Sequence, residues 1–510
     1  MNIYRQSLTL EPELMNLGSA DHEPDQQHEP DHQHWSSGSP PTCPPALCPL
    51  TELSSRPCVC CCPPLSLSLP EVPHIARFFG TKTRYEEVNR ALLLDPLWVN
   101  RSVLRPPPGE SCSPVHLTAL IRHGSRFPTV KNIQRIRRLS ELVATGGRTG
   151  GGAAGGGATG GTTGGATGDW LREIRSWENW YTEDMDGQLV DKGRQDLRLL
   201  AQRLQKLFPS LLSEQSSFSL KTSSKHRCVS SMEAFREGLQ VGRLSHSVDD
   251  ELLRFFERCR GYVEGVEKNR TALVEVHRFK KGGEMEGVRG RVAMKLGLPP
   301  HLLTPDLVEA AFFLCSYELS IRSLNSPWCF LFTEEDARVL EYKSDLKQFW
   351  KRFHGHVISG VSSCPLFHHV FRTLDKAGRP RRATDAPPAL TASVLLGHAE
   401  TLLPLLSLLG LYRDPHPPTA DNYPQQHGRT FRSGLIVPYA ANLLFVLFDC
   451  QRGPRLQLLL NEKPVRFPGL PHDDVPLYRD VRAAYRPLLD GCDSARECEG
   501  RGGRAPNTEL

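Results

Sequence analysis

The sequence predicts an α/β fold, with a central sheet, flanking helices and a largely helical cap. Three observations predict it. Short β-branched and apolar runs stand at residues 115–121, 218–224 and 392–397. Each is followed at once by a polar cluster and then by a helix-like pattern. Between the second and third runs, apolar residues recur at three- and four-residue spacing, which is the period of helices that bury one face.

Taken in order, "VHLTALI" (115–121) has the length and composition of a strand and runs directly into Arg122-His123-Gly124. "KGRQDLRLLAQRLQKLF" places Leu197, Leu200, Leu204, Leu207 and Phe208 on one helical stripe, a core face rather than a binding surface. "FSLKTSS" (218–224) precedes "KHRCVSS" and the helical "MEAFREGLQ". "DDELLRFFERCRGYVEGV", "TPDLVEAAFFLCSYELSI" and "TEEDARVLEYKSDLKQFWKRF" each carry the helical period and make up the cap, at about 231–390. "ASVLLG" (392–397) leads into His398-Ala399-Glu400 and the helix "TLLPLLSLLG", which Gly410 is placed to end.

Composition sets the limits around this domain. Residues 1–75 are rich in Pro, His, Asp, Ser and Cys without periodicity, and are expected to be disordered. "CVCCCPP" within them reads as low complexity. Residues 146–168, a run of Gly, Thr and Ala, read as a flexible insertion with no GxxxxGK[ST] pattern. The catalytic domain then covers 76–145 and 169–500, with 501–510 a short tail. A net charge of +5, from 62 basic and 57 acidic residues, is too small and too scattered for a nucleic-acid partner. No stretch has the roughly 18 apolar residues that a membrane span needs, and no signal peptide is visible at the start.

Of the 15 cysteines, six lie between 43 and 62, and nine are spread singly from Cys112 to Cys498. The spread set lacks the paired spacing of a zinc site, so disulfides with one thiol left over are expected. Cys492 and Cys498 are close enough in sequence for a short loop. Sequons at Asn100 and Asn269 fit the same secretory setting. No metal and no cofactor is implied.

The three polar clusters lie just past the carboxyl ends of three strands. In open α/β sheets that edge binds ligands, and helices starting there aim their positive ends at an anion. "RHGSRFP" supplies Arg122 and Arg126, and "SSKHRC" supplies Arg227. Guanidinium groups match phosphate oxygens bidentately and stay charged. His123 is then the candidate nucleophile, forming a phosphohistidine. His398 is placed to donate to the same phosphoryl oxygens, and Glu400 to protonate the leaving alkoxide, for which its carboxyl must hold a proton. Lys131, Lys225 and Arg432 are candidate contacts for further phosphates. By chance, the five fixed letters of RHGxRxP are expected on the order of once in 10⁴ chains of this length.

"RHGSRFPT" together with "GHAETLLPLLSLLG" resembles the histidine acid phosphatase branch of the histidine phosphatase superfamily. "FFGTKTRYEEVN", "TSSKHRC", "SPWC", "LEYKSDLKQFWKR", "FRSGLIVPYAANLLFVL" and "LLLNEK" are similar to the multiple inositol polyphosphate phosphatases within it, from about residue 78 to the C-terminus. The resemblance implies a histidine-phosphatase-like sheet and hydrolysis of phytate, lower inositol polyphosphates and 2,3-bisphosphoglycerate. It carries the nucleophile role to His123, phosphate binding to Arg122, Arg126, Arg227 and His398, and proton donation to Glu400. It also implies an endoplasmic-reticulum lumenal or secreted protein. Ser125 replaces the more usual Thr, and "NTEL" only partly matches lumenal retention signals. Two alternatives stay open: a mutase-type phosphotransferase, and a homologue that binds polyanions without turnover.

Overall fold

The structure, a computed structural model, describes residues 72–104, 109–149, 169–242, 244–379, 390–470 and 472–499, with no side-chain description for 147–149. All of these belong to one compact unit, Leu67–Leu510. The tail before residue 72, most of the glycine-rich insertion and "NTEL" lie outside the described residues.

A seven-stranded sheet organises the chain. Its strands are β1 (Cys112–Arg122), β2 (Phe218–Thr222), β3 (Ser247–Val248), β4 (Ala392–Gly397), β5 (Asn442–Cys450), β6 (Arg455–Leu460) and β7 (Lys463–Val465), in spatial order β3-β2-β4-β1-β5-β6-β7. The first four neighbours run parallel, and β5 to β7 pair antiparallel. The central strands are apolar along their whole length because both faces are covered. On one face Leu117, Ala119 and Ile121 of β1 pack with Val394 and Leu396 of β4. On the other, Leu120 and Leu395 pack with Leu443 and Phe445 of β5. Alternation of side chains along a strand makes this division.

Helices cover each face. Those that position the site are α1 (Val130–Thr149), α2 (Asp191–Leu207), α3 (His226–Leu239), α4 (Pro305–Arg322), α5 (Glu334–Arg352) and α6 (Ala399–Leu408). The leucine stripe read from the sequence, with Phe208, is buried between α2, α3 and the first sheet face. Leu402, Leu403 and Leu406 of α6 bury against the second. Gly410, at φ +77°, follows the end of α6. The cap core gathers Leu314 and Tyr317 of α4 with Leu340 and Leu346 of α5. Both helices start on threonine caps: Thr304 accepts from Leu307 N–H, and Thr333 forms a capping box with Asp336.

Four differences from the sequence reading have clear causes. Ile75 is fully buried and Val72 packs beside it, so the boundary expected after residue 75 falls earlier. α1 runs on through 146–149, the first residues assigned to the insertion. α1 and the helix Asp169–Ser176 also share the cap core, outside the expected 231–390. The single helix expected over 249–266 is instead a series of short turns, interrupted at Arg254 and at Cys259. Cys259 is tied there to Cys498.

That bond also rules out the short Cys492–Cys498 loop that their closeness in sequence allows. Cys492 pairs with Cys364, and the remaining bridges are Cys112–Cys450 and Cys315–Cys329. Cys492 follows the short helix Arg486–Gly491 and Cys498 ends the next, Ser494–Cys498, and they fasten different parts of the cap. Cys228 is the free thiol. The Asn100 and Asn269 side chains each close an Asx turn at the start of a 3-10 turn, accepting from Ser102 and Thr271. No helix among the described residues is long and apolar enough to cross a membrane.

Gly124, in the loop after β1, touches the backbone of Gly193 in the first turn of α2. A Cβ on Gly124 would overlap the Gly193 carbonyl, and a Cβ on Gly193 would overlap the Ser125 carbonyl. Gly193→Ala is therefore expected to lower the unfolding free energy by about 1–3 kcal/mol through forced backbone separation. Thermal unfolding reads this, and an unchanged melting temperature would show that the two backbones are free to part.

Candidate active site

Sheet register brings the three polar clusters to one edge. Arg122 of β1 lies opposite Gly397 of β4, and Thr222 of β2 lies opposite Leu396. The main chain continues the ladder past the strand ends. His123 N–H donates to Gly397 C=O at 3.0 Å, Ser223 N–H to Leu396 C=O at 3.1 Å, and Ala440 N–H to His123 C=O at 3.1 Å. His123, Ser223 and His398 are thereby fixed at one level although they are far apart in sequence.

His123 is buried, and its Nδ1 lies 2.9 Å from its neighbour's carbonyl, Gly124 O. A carbonyl only accepts, so Nδ1 carries the ring proton and Nε2 keeps its lone pair. Burial holds the imidazole well below its usual pKa, and Arg227 and Arg122 push it lower. The ring is neutral across the physiological range. Gly124 N–H in turn donates to Ser231 Oγ at 3.2 Å, and Ser125 Oγ to Asp196 at 3.2 Å. The loop that presents His123 is thus held on both sides.

Three arginines surround this ring with little to offset their charge. Arg122 is buried, with Nη1 donating to Thr81 O at 2.7 Å and Val437 O at 2.6 Å, and its guanidinium lies over the Tyr439 ring. Burial pulls it down to about 10, with Arg126 and Arg227 adding to the shift. Arg126 donates to Phe127 O at 2.7 Å. Arg227 reaches His398 Nδ1 at 3.5 Å. The Nε atoms of Arg122 and Arg227, and the Tyr439 hydroxyl, are buried without partners. Unsatisfied cationic donors are costly in a folded protein, and an oxyanion satisfies them together.

His398 lies edge-on to His123, with ring centroids 5.6 Å apart. Its Nε2 is 2.8 Å from Ser223 Oγ. Because Arg227 donates to Nδ1, the ring proton sits on Nε2 and is given to Ser223. A direct bond from His398 to phosphate needs the other tautomer, with Ser223 donating instead. Burial, followed by Arg227, lowers this ring to about 3. Cys228 lies 3.6 Å from His398 Nε2, and burial raises its thiol to about 12, so it is not a thiolate nucleophile.

Glu400, in the first turn of α6, is one-third exposed and forms an ion pair with Arg352 at 2.9 Å. Burial raises its pKa, but Arg352 outweighs that effect, with His398 and Arg122 acting the same way, and the net shift is well below the usual carboxylate range. The carboxyl that the sequence reading requires to be protonated is ionised in the free protein.

The profile of the Histidine phosphatase superfamily (branch 2) matches residues 115–461. The chain belongs to this superfamily. It is 43% identical over 465 residues to multiple inositol polyphosphate phosphatase 1 of Homo sapiens, covering 86% of this chain and 92% of that one. To the Gallus gallus protein of the same name it is 42% identical over 433 residues, covering 83% and 92%. Solved structures share the fold at low sequence identity. The phytase of D. castellii aligns with TM-score 0.65 and 16% identity, over 83% of this chain and 88% of that one. The Bifidobacterium longum multiple inositol polyphosphate phosphatase, in complex with inositol hexasulfate, gives 0.59 and 15%, over 81% and 97%.

In this histidine phosphatase, two of the three further cations named from the sequence are engaged or placed elsewhere. Arg432 is held by Glu341, with both Nε and Nη2 donating to the carboxylate, so its fork is spent inside the protein. Lys131 lines a surface groove with Arg135, Arg138 and Asp306, which includes none of the residues around His123. Lys225 is exposed at the start of α3. Local sequence makes any of these a plausible phosphate contact, because a solvated or internally paired cation looks the same in one dimension. Conversely, Arg352, Ser223 and Tyr439 escaped the sequence reading. Arg352 ends a helix whose period marks it as core packing, and Tyr439 lies in "VPYAAN" with no motif around it. For any possible metal, the described residues bring together only Glu110, Cys112 and Cys450, and both sulfurs are joined in a disulfide.

If Arg352 is what keeps Glu400 ionised, Arg352→Gln will raise the Glu400 pKa by roughly 1–3 units, the usual effect of a close opposite charge. Carboxyl-carbon NMR titration of the free protein reads this, and an unmoved titration would assign the depression to other groups.

Proposed function

We propose that this protein is a phosphomonoester hydrolase acting on inositol polyphosphates, through a phosphohistidine intermediate on His123. The observation that carries the reading is the buried, neutral imidazole with a free Nε2, ringed by guanidinium groups whose Nε donors lack partners. The high identity to two multiple inositol polyphosphate phosphatases supports the substrate class.

In the proposed reaction, Arg122, Arg126 and Arg227 hold one phosphoryl group and offset the charge on its equatorial oxygens. His398 orients Arg227 and, in its other tautomer, donates to the same oxygens. His123 Nε2 attacks phosphorus, an N–P bond forms, and the P–O bond to the inositol carbon's oxygen breaks. The Nδ1 proton stays on the ring, held by Gly124 O, as the imidazole becomes cationic. Glu400 gives its proton to the departing oxygen. Its carboxylate then takes a proton from water, whose oxygen attacks phosphorus and breaks the N–P bond. Inorganic phosphate leaves and His123 is neutral again.

Ionisation of Glu400 in the free protein makes its proton depend on substrate. Phosphate drawn in by the arginines compensates their positive charge and adds negative charge beside the carboxylate. Both effects raise its pKa, so the acid becomes competent only in the occupied site. Because burial holds His123 neutral well below its usual range, a fall to mildly acidic pH leaves the nucleophile unprotonated. Activity should therefore persist into mildly acidic conditions. The same chemistry extends to 2,3-bisphosphoglycerate, another vicinal phosphate ester. Four disulfides fit an oxidising compartment, and we place the protein in the lumenal or secreted class, with the endoplasmic reticulum as the specific site proposed.

Phosphate release from phytate at pH ~5 and ~7 tests the reading. His123→Ala is expected to abolish it, and Glu400→Gln to slow it by ~10²- to 10⁴-fold while leaving the acid-stable nucleophile intact. Brief reaction with labelled phytate and a quench at alkaline pH should trap phosphate on the parent and on Glu400→Gln, and none on His123→Ala. Full turnover by His123→Ala would overturn the phosphohistidine step. Phytate bound without any phosphate released by the parent would favour the polyanion-binding alternative, and transfer of phosphate to a sugar acid would favour the mutase.

A further inference from the structure

Two lysines beside the arginine cluster have no anionic partner of their own. Lys82 follows Thr81, whose carbonyl takes a hydrogen bond from Arg122 at 2.7 Å. Its Nζ rests 3.4 Å from the centre of the Phe313 ring and forms no ion pair among the described residues. Lys347 lies on α5, exposed between the buried Leu346 and Gln348, and likewise forms no ion pair among them.

The backbone brings these two together. Gly80, at φ +53°, packs so tightly on α5 that a Cβ there would lie 2.6 Å from Ser344 Oγ. Lys82 is two residues beyond that contact, and Lys347 is one helical turn beyond Ser344 on the same face. Farther along α5, Arg352 grips Glu400 at 2.9 Å. One wall of the site is therefore the C-terminal part of α5, which carries Lys347 and then Arg352, the latter paired with the proton donor.

The nearby carboxylate is already engaged. Glu309 gives one oxygen to Lys343 and the other to Arg135. Burial, opposed in part by Glu309 and reinforced by Arg126, Lys347 and Arg122, holds the Lys82 ammonium well below its usual pKa. Such a cluster is restored to full charge by an anion, which gains two donors at once.

We propose that Lys82 and Lys347 form a second phosphate subsite, holding a phosphate of the substrate other than the one attacked. This rests on the phosphatase reading above. It gives the site a reason to prefer polyphosphorylated rings over simple monoesters, because only the former reach both subsites. Neither lysine touches the reacting atoms, so their effect falls on binding and orientation.

Lys82→Met, Lys347→Met and the double variant test this, with methionine keeping the apolar stem against Phe313. Turnover of phytate and of p-nitrophenyl phosphate is compared, together with calorimetric affinity for inositol hexasulfate, whose sulfates mimic phosphates but are not hydrolysed. Loss of one charge-assisted contact is typically worth ~10-fold or more in affinity. The double variant is expected to lose at least ~10-fold more kcat/KM on phytate than on p-nitrophenyl phosphate, mainly through KM, and to bind inositol hexasulfate correspondingly less tightly. Equal losses on the two substrates, or unchanged hexasulfate affinity, would overturn the subsite. A parent that binds hexasulfate through these lysines yet hydrolyses nothing would keep the subsite and sink the phosphatase reading.

Discussion

The pairing of β1 with β4 is the constraint on which the site depends. Ile121 opposite Leu396 and Arg122 opposite Gly397 set the two strands in parallel register, and the bond from His123 N–H to Gly397 O extends that register into the loops. A slip of one residue would turn Arg122 and His123 to opposite faces. Both sheet faces are apolar and covered by helices, so such a slip would also exchange the side chains fitted to each face and break the packing on both sides. Packing over the whole core thus protects the placement of a few polar side chains at its edge.

Charge balance differs sharply between the site and its surroundings. Around the segment after α6, Arg429 and Arg432 are both met by carboxylates, with Glu341 and Asp345 between them. Behind the first sheet face, Arg203 is forked onto Glu462. Near His123 this pairing stops: Glu400 is given to Arg352, and the other guanidinium groups are left to backbone carbonyls and an aromatic ring. Uncompensated buried charge is unfavourable in a folded chain. Backbone ties around it, including His123 N–H to Gly397 C=O and Ala440 N–H to His123 C=O, let the fold carry that cost.

What could be read from one dimension is what local chemistry encodes. The strands at 115–121, 218–224 and 392–397 were legible because a fully buried strand must be apolar at every position, and α2 because its leucines follow the helical period. Arg122, His123, Arg126, Arg227, His398 and Glu400 were legible because they follow strand ends in short clusters. The segment 249–266 was not, since its helical spacing is overruled by the Cys259–Cys498 bridge to the far end of the chain. Lys131 and Arg432 were misleading for the complementary reason: whether a cation faces solvent, a carboxylate or a ligand depends on groups remote in sequence.

The sequence by itself therefore determined the fold class, the strands and the chemical groups available at their ends, because these follow from periodicity and residue type within a few positions. Tertiary structure alone decided which charges are left open and which proton each group holds. The tautomer of His123 depends on how its ring meets Gly124 O, the ionisation of Glu400 on an arginine 48 positions before it in the sequence, and the pairing of Lys82 with Lys347 on the contact of Gly80 with Ser344. Electrostatic energy depends on distance and burial in three dimensions, and neither is a local property of the chain.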